Sequence, residues 1–242
     1  MRMERWILLA GLLLAHAALA ADFELYSARA IVTGTDDRMR LEGFDRCLRD
    51  VLVKVSGDPD LAGDPRVAAF EPGAQALAED FFYQDRMSDQ IMHDEQGSRD
   101  RPFDLTVRFA SARIDEVLRQ LGAAPWLGQR PPLALAVGIT RNGETYPLSA
   151  DGAPDERPRE AAVAAGEKYG MRVMFPPLGG DLGAVPGAVA LTGTLVWKPE
   201  AFGWVGEWRM VAHGAEARWG ITGVSFDEAF RDAVRGAMRA LR

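Results

Sequence analysis

The carboxyl-terminal part of the chain constrains the fold most, because three successive segments alternate apolar and polar side chains. Side chains that repeat every second residue lie on one face of a β-strand. The pattern therefore predicts an antiparallel three-stranded meander with one tryptophan-rich face. That face would carry Leu191, Gly193, Leu195 and Trp197, then Trp204, Gly206, Trp208 and Met210, then Ala217, Trp219 and Ile221.

The last segment of the chain has the period of an amphipathic helix, with Ser225 and Glu228 at the spacing of a capping box. Burying aromatic surface contributes about 25 cal/mol per Å². We therefore expect this helix to cover the tryptophan face, and the polar face to meet solvent or a partner. The apolar stripe is Phe226, Ala229, Phe230, Ala233, Val234, Ala237, Met238 and Leu241, and the polar face is Thr192, Thr194, Glu207, Arg209, Glu216 and Arg218.

The first twenty residues have the pattern of a secretory signal peptide. Arg2 and Arg5 precede an apolar run of about 13 residues, and the small residues of Ala18-Leu19-Ala20 follow it. The run is shorter than the roughly 20 residues that span a bilayer. We expect cleavage after Ala20, a periplasmic location, and no integral membrane span in the mature chain.

The segment VLVKVSGDPDL, residues 51–61, looks locally like a strand but has a helical period. Within residues 41–55 the apolar side chains lie on one face of a predicted helix. Thr35 or Asp36 is placed to cap the start of this helix, and Gly57 is placed to end it. Those apolar residues are Leu41, Phe44, Leu48, Val51, Leu52 and Val55.

The acidic loop after this helix is a candidate calcium site that fails on its ligands. Asp58, Asp60 and Gly63 match the first, third and sixth positions of an EF-hand loop. Ala62 and Ala69 stand at the fifth and twelfth positions, where oxygen ligands are required. We therefore predict no metal site in this loop.

Further strands and helices complete two α+β halves. Apolar patterns predict strands near residues 23–31, 103–109, 133–140 and 171–175. Helical spacing predicts helices at residues 67–81, 111–121 and 159–169. Pro72 and Gly73 interrupt the first of these helices, and Ser111 is placed to cap the second. A loop carrying Pro147, Pro154 and Pro158 follows the third strand. Proline and glycine cluster at residues 126–132, which marks a boundary.

The predicted fold class is α+β, with two consecutive two-layer α/β sandwich domains. The second domain is a βαβ unit followed by the antiparallel three-stranded meander and the carboxyl-terminal helix. The predicted division is a signal peptide at 1–20, an amino-terminal α+β domain at 21–128 and a carboxyl-terminal α+β domain at 129–242.

Several motifs resemble the DUF2066 family of exported bacterial proteins. They are VLVKVSGD at residues 51–58, Trp126, and the pair Arg130-Pro131. The strand after that pair reads LALAVGIT and lacks the aromatic residue expected there. The resemblance implies export, and this family of unknown function brings no catalytic residues to transfer. The second half is also similar in pattern to the amino-terminal domain of the periplasmic translocation protein TolB, which implies a binding role.

Composition and reactive residues exclude several functions. The net charge of −7 argues against nucleic acid as a partner. Cys47 cannot form an intramolecular disulfide and is expected to be buried, and neither His93 nor His213 has the spacing of a zinc site. A phosphate cradle is not expected at Gly179, Gly180 and Gly183, because they match no phosphate-binding motif.

These observations predict a protein without a catalytic site, metal or cofactor. We expect a non-catalytic binding or assembly module of the cell envelope, with another envelope protein as its partner. The alternative is a carboxylate-dependent envelope hydrolase acting on peptidoglycan or glycan, for which the sequence selects no pair of carboxylates. A second alternative makes the tryptophans a platform for stacking sugars, but the matching apolar stripe of the last helix favours their burial.

Overall fold

A computed structural model describes residues 25–88, 101–151, 156–180 and 187–242. The chain divides into two compact units: unit 1 is Met1–Ser56 and Asp60–Trp126, and unit 2 is Gly57–Pro59 and Leu127–Arg242. The predicted signal peptide at 1–20 lies outside the described residues. Across the described ranges, none of the helices has both the length and the apolar character needed to cross a membrane.

Unit 1 is an antiparallel sheet with helices packed on one face. The strand order is β1-β3-β2, so β3 is central. The alternation predicted for β3 is confirmed, since Leu105, Val107 and Phe109 are buried. The described strands are β1 (Ser27–Thr33), β2 (Ala78–Asp85) and β3 (Pro102–Phe109), and the described helices are α1 (Asp37–Ser56), α2 (Ala74–Leu77) and α3 (Ser111–Gln120).

Helix α1 confirms the helical interpretation of residues 51–55. The Asp36 carboxylate accepts hydrogen bonds from the backbone N–H groups of Arg38 and Met39 at 3.0 and 3.2 Å, and Gly57 follows the helix with a φ of 69°. Gly43 lets the helix approach the sheet closely, because a Cβ there would lie 2.5 Å from Cδ2 of Leu105. Leu41 was expected on the buried face but is 46% exposed, since Met39 and Gly43 are the buried residues of this part of the helix.

Two predictions for the rest of unit 1 are wrong. Residues 59–73 form three 3₁₀ turns rather than a helix that begins near Val67, because prolines recur at each turn start, and Phe81 belongs to β2. Helix α3 has Ala110, not Ser111, as its N-cap, with no side-chain capping bond. Ala110 is held there by its own backbone, whose N–H donates to the carbonyl oxygen of Leu77 at 3.0 Å.

Unit 2 has a mixed sheet of six described strands followed by the predicted helix, and all of these strands but β5 were predicted. The strand order is β5-β4-β7-β8-β9. Strand β6, which follows helix α4 in the chain, pairs in parallel with the start of β4. The meander β7-β8-β9 is antiparallel throughout. The strands are β4 (Leu133–Arg141), β5 (Glu144–Pro147), β6 (Val173–Met174), β7 (Val189–Lys198), β8 (Gly203–Ala212) and β9 (Ala215–Val224), and the helices are α4 (Arg157–Tyr169) and α5 (Phe226–Leu241).

A hairpin replaces the first part of the predicted surface loop. Strand β4 continues to Arg141 and turns at Asn142 and Gly143, whose φ angles are 55° and 82°. Two residues with positive φ form the type I′ turn that favours tight hairpins. Strand β5 therefore pairs back on β4, with the hydroxyls of Thr140 and Thr145 2.8 Å apart.

Candidate functional site

The tryptophan face of the meander belongs to the core of unit 2. Strand register places Trp208 opposite Gly193 on one side and opposite Trp219 on the other. Trp204 and Trp208 are 7% and 2% exposed. The ring centroids of Trp204 and Phe226 are 5.0 Å apart, and those of Trp208 and Phe230 are 6.3 Å apart. Helix α5 therefore lies on these indoles, as the sequence predicts.

Trp219 is fixed to the same helix by a hydrogen bond and by close packing. Its Nε1 donates to the backbone carbonyl of Asp232 at 3.1 Å. A Cβ on Gly236 would lie 2.1 Å from Cε2 of this indole, so a glycine is required where the ring meets the helix. Trp197 differs from the other three, since it lies at the end of the meander and is 40% exposed.

The start of helix α5 has half of the predicted capping box. The Ser225 hydroxyl accepts a hydrogen bond from the backbone N–H of Glu228 at 3.2 Å. The Glu228 carboxylate instead accepts from Arg231 at 3.0 Å and from Arg235 at 3.4 Å. Arg235 also donates to Asp232 at 2.9 Å, which joins these charges into a chain along the helix.

The opposite face of the same sheet carries the predicted polar side chains. Helix α4 packs beside α5. The apolar side chains of β4 that continue the tryptophan face are also buried, and they are Leu133, Leu135, Val137 and Ile139. Strand register aligns Thr192 with Arg209 and Arg218, and Thr194 with Glu207 and Gly220. We call this surface the open face; it consists of Thr192, Thr194, Glu207, Arg209, Glu216 and Arg218.

The open face is a shallow groove with ordered charges. Its volume is about 470 Å³, and Gly193 and Gly220 contribute backbone to its floor. Glu216 pairs with both Arg218 and Arg209. Hydrogen bonds from both arginines hold the pKa of the Glu216 carboxyl below its usual range, and the bond from Arg218 has the larger effect. The groove therefore presents fixed positive and negative charges at neutral pH, beside threonine hydroxyls that can donate or accept hydrogen bonds.

Unit 1 contains a pair of neighbouring carboxylates, Asp45 and Glu71, that the sequence does not predict. Burial, followed by the nearby charge of Glu71, raises the pKa of Asp45. The Glu71 carboxylate accepts a hydrogen bond from Nε of Arg49 at 2.6 Å, and Arg49 also donates to the Ala62 carbonyl at 3.1 Å. The 3₁₀ turns bring Glu71 back to α1, and no sequence pattern marks this encounter. Arg49 ties these turns to the helix, which gives the cluster a structural role.

Replacing Asp45 with asparagine is expected to stabilise the protein at pH 7 by less than about 1 kcal/mol. The folded-state pKa of Asp45 is raised, so its ionisation costs more in the folded than in the unfolded state. Protonated Asp45 contributes stability that is fully present below the pKa of this carboxyl in the unfolded state. This stability is lost as the pH rises through the pKa of the same carboxyl in the folded state. Thermal unfolding at pH 3 and pH 7 tests this, with the gain expected only at pH 7.

The exposed carboxylate Glu144 gives a control for this measurement. Its change to glutamine should leave the melting temperature nearly unchanged at both pH values, since it lies on the surface of β5. A loss of stability at pH 7 on replacing Asp45 would contradict the interpretation of this cluster.

The other sequence candidates are not members of the open face. Cys47 is fully buried, as expected. His213 is exposed in the turn before β9, with Nε2 3.2 Å from the Leu241 carbonyl oxygen, and Gly179 lies in a turn after β6. His93 and Gly183 lie outside the described residues. Within the described ranges, no group of three or more histidine, cysteine, aspartate or glutamate side chains could hold a metal ion.

Comparison with known proteins identifies one family match. Residues 20–127 match the model described as a domain of unknown function, DUF8605. The match covers less than half of the chain, and it includes the described strands and helices of unit 1 but none of those that form the open face. No curated protein and no solved structure matches the chain.

Proposed function

We propose that this chain is an exported, non-catalytic binding or assembly module of the bacterial cell envelope. Its partner, another envelope protein, docks on the open face of unit 2. The observation that carries this proposal is the asymmetry of the sheet. One face is filled by indoles and α5, and the other presents paired arginine and glutamate side chains with threonine hydroxyls around exposed backbone.

The dimensions of the open face favour a small or transient interface. Strands β7, β8 and β9 have 10 residues each. At about 3.3 Å per residue and about 4.8 Å between strands, the open face on these three strands measures about 33 by 10 Å. This area of about 330 Å² is below the roughly 800 Å² per partner of a stable interface. Paired charges on such a surface contribute more to specificity and association rate than to affinity.

The proposal of export rests on the amino-terminal sequence. The basic residues, the apolar run and the small residues before Ala20 support cleavage there and a periplasmic location. The relationship to DUF2066 stays a prediction, since the matching model is that of DUF8605.

A carboxylate-dependent hydrolase acting on peptidoglycan or glycan is the second candidate function. It is favoured by the raised pKa of Asp45, the property that a general acid needs. The partner of Asp45 would be Glu71, which forms an ion pair with Arg49. Turnover of peptidoglycan fragments by the purified protein, lost on Asp45→Asn, would establish this function in place of the binding module.

Site-directed cross-linking tests the binding module. Thr194→Cys places a thiol on the open face, and Ala164→Cys places a matched thiol on the exposed side of α4. Buried Cys47 should not react in the folded protein. A photoreactive maleimide at position 194 is expected to capture one envelope protein that position 164 does not capture.

A charge reversal completes this experiment. Arg209→Glu in the Thr194→Cys protein should weaken the capture, because the introduced carboxylate repels that of Glu216 and the pattern of charges on the open face changes. Equal capture from positions 194 and 164, or capture that ignores the charge reversal, would overturn the open face as the docking surface.

A further inference from the structure

The turn between β7 and β8 carries an aromatic side chain that the fold does not bury. Phe202 is 91% exposed, and Trp197, at the end of β7, is 40% exposed. Register pairs Lys198 with Gly203 and Trp197 with Trp204, so Trp197 and Phe202 lie at the same end of the hairpin. We call residues 197–202 the hairpin tip.

The backbone of Phe202 makes its exposure harder to explain by folding alone. Its φ and ψ are 52° and 29°, in the left-handed region that favours glycine and disfavours bulky side chains. A phenylalanine at this position is therefore unfavourable both for its backbone conformation and for its contact with water. Such outliers concentrate at functional positions, where another interaction compensates for them.

The turn bonds part of its own backbone. Pro199–Ala201 form a 3₁₀ turn, and the N–H of Phe202 donates to the Pro199 carbonyl at 3.0 Å. Pro199 has no N–H group to satisfy. Backbone polar groups without partners resist entry into an apolar medium. The hairpin tip therefore suits the hydrated interfacial layer, where water remains available to the rest of its backbone.

Trp197 connects the hairpin tip to the core of unit 2. Its centroid is 5.7 Å from that of Trp204, which contacts Phe226 at 5.0 Å. The end of the hairpin is therefore braced by edge-to-face aromatic contacts rather than mobile on a long loop. A braced, convex apex loses little conformational entropy when it inserts into another medium.

We propose that the hairpin tip inserts into the interfacial layer of a lipid bilayer. Phe202 enters at the boundary between headgroups and acyl chains, while Trp197 and Lys198 lie at the level of the headgroups. Tryptophan and lysine suit this level because each joins an apolar body to a polar end. A bilayer accepts a single protruding ring without a matching pocket, whereas a protein partner would need one.

The charges of the hairpin tip define the kind of bilayer it suits. Lys198 and Glu200 are both exposed and cancel, so the tip gains nothing from an anionic surface. We therefore expect the tip to partition into zwitterionic lipid, and more strongly when Glu200 is changed to glutamine, because this removes a carboxylate that resists entry into the interfacial layer. The contact is weak and reversible, below the roughly 10⁴ M⁻¹ of a single myristoyl chain.

Flotation with vesicles of phosphatidylcholine tests this inference. Wild type and variants begin at Ala21, the amino terminus expected for the mature protein, so the apolar segment before it does not contribute. Phe202→Ala is expected to lower the partition coefficient about tenfold, and Glu200→Gln to raise it. Phe82→Ala is the matched control, since Phe82 is 51% exposed in unit 1 and should leave partitioning within about twofold.

Phe202→Gly separates binding from folding. Glycine relieves the left-handed strain, so this variant should melt no lower than wild type and yet bind vesicles as weakly as Phe202→Ala. Partitioning that Phe202 does not affect, or no partitioning of wild type at millimolar lipid, would overturn the inference. A lipid-free dimer that Phe202→Ala dissociates would overturn it in favour of a second copy of the chain. Capture through Thr194→Cys does not depend on this outcome.

Discussion

Replacing Phe230 with alanine is expected to lower the free energy of unfolding by about 3–5 kcal/mol. Phe230 is fully buried, and its ring lies against those of Phe226, with centroids 5.1 Å apart, and Trp208. The lost apolar area and the cavity beneath the helix act in the same direction. Chemical denaturation followed by circular dichroism measures the change.

The matched control for this variant is Phe202→Ala. The chemical change is the same, but Phe202 is 91% exposed, so the free energy of unfolding should stay within about 0.5 kcal/mol of wild type. Similar losses for both variants would show that helix α5 does not depend on its contact with the tryptophan face.

Replacing Gly236 with alanine is expected to destabilise the protein by about 1–3 kcal/mol. Two effects of opposite sign compete at this position. Alanine favours a helix over glycine by about 1 kcal/mol. Its Cβ, however, would lie 2.1 Å from Cε2 of Trp219, so either the indole or the helix must move. Since this contact is far inside van der Waals distance, we expect the steric effect to exceed the gain in helix propensity.

A double-mutant cycle with Trp219→Ala tests the cause. Once the indole is removed, Gly236→Ala should cost little or become stabilising, which gives a coupling free energy above about 1 kcal/mol. A stabilising effect of Gly236→Ala in the wild-type background would contradict the close packing of α5 on β9.

The sequence predicts the elements whose faces are sorted by a regular period. The meander and α5 were predictable because every second residue of the strands and every third or fourth residue of the helix meet the same core. The start of strand β2 was not, since its adjacent Phe81 and Phe82 are both exposed and break the alternation. The pair Asn142-Gly143 is typical of a hairpin turn, but the prolines that follow it favoured a loop, so the β4–β5 hairpin was not predicted.

The candidate site was predictable as a set of side chains but not as a geometry. The residues of the open face follow from alternation, whereas the pairing of Glu216 with Arg209 and Arg218 depends on strand register. The proximity of Asp45 and Glu71 depends on how the 3₁₀ turns fold back. Phe202 has a positive φ and an exposed ring, and a phenylalanine in a sequence signals neither.

Hydrogen exchange of the indole N–H groups tests most directly whether α5 closes the tryptophan face and leaves the open face for binding. In ¹⁵N-labelled protein, we expect slow exchange for Trp208, whose Nε1 is buried, and for Trp219, whose Nε1 is bonded to the Asp232 carbonyl. Both signals should also stay unshifted when soluble muropeptides are added. Rapid exchange at Trp208 and Trp219, or shifts of both signals with muropeptide, would show that α5 does not cover the indoles and would make them a binding platform.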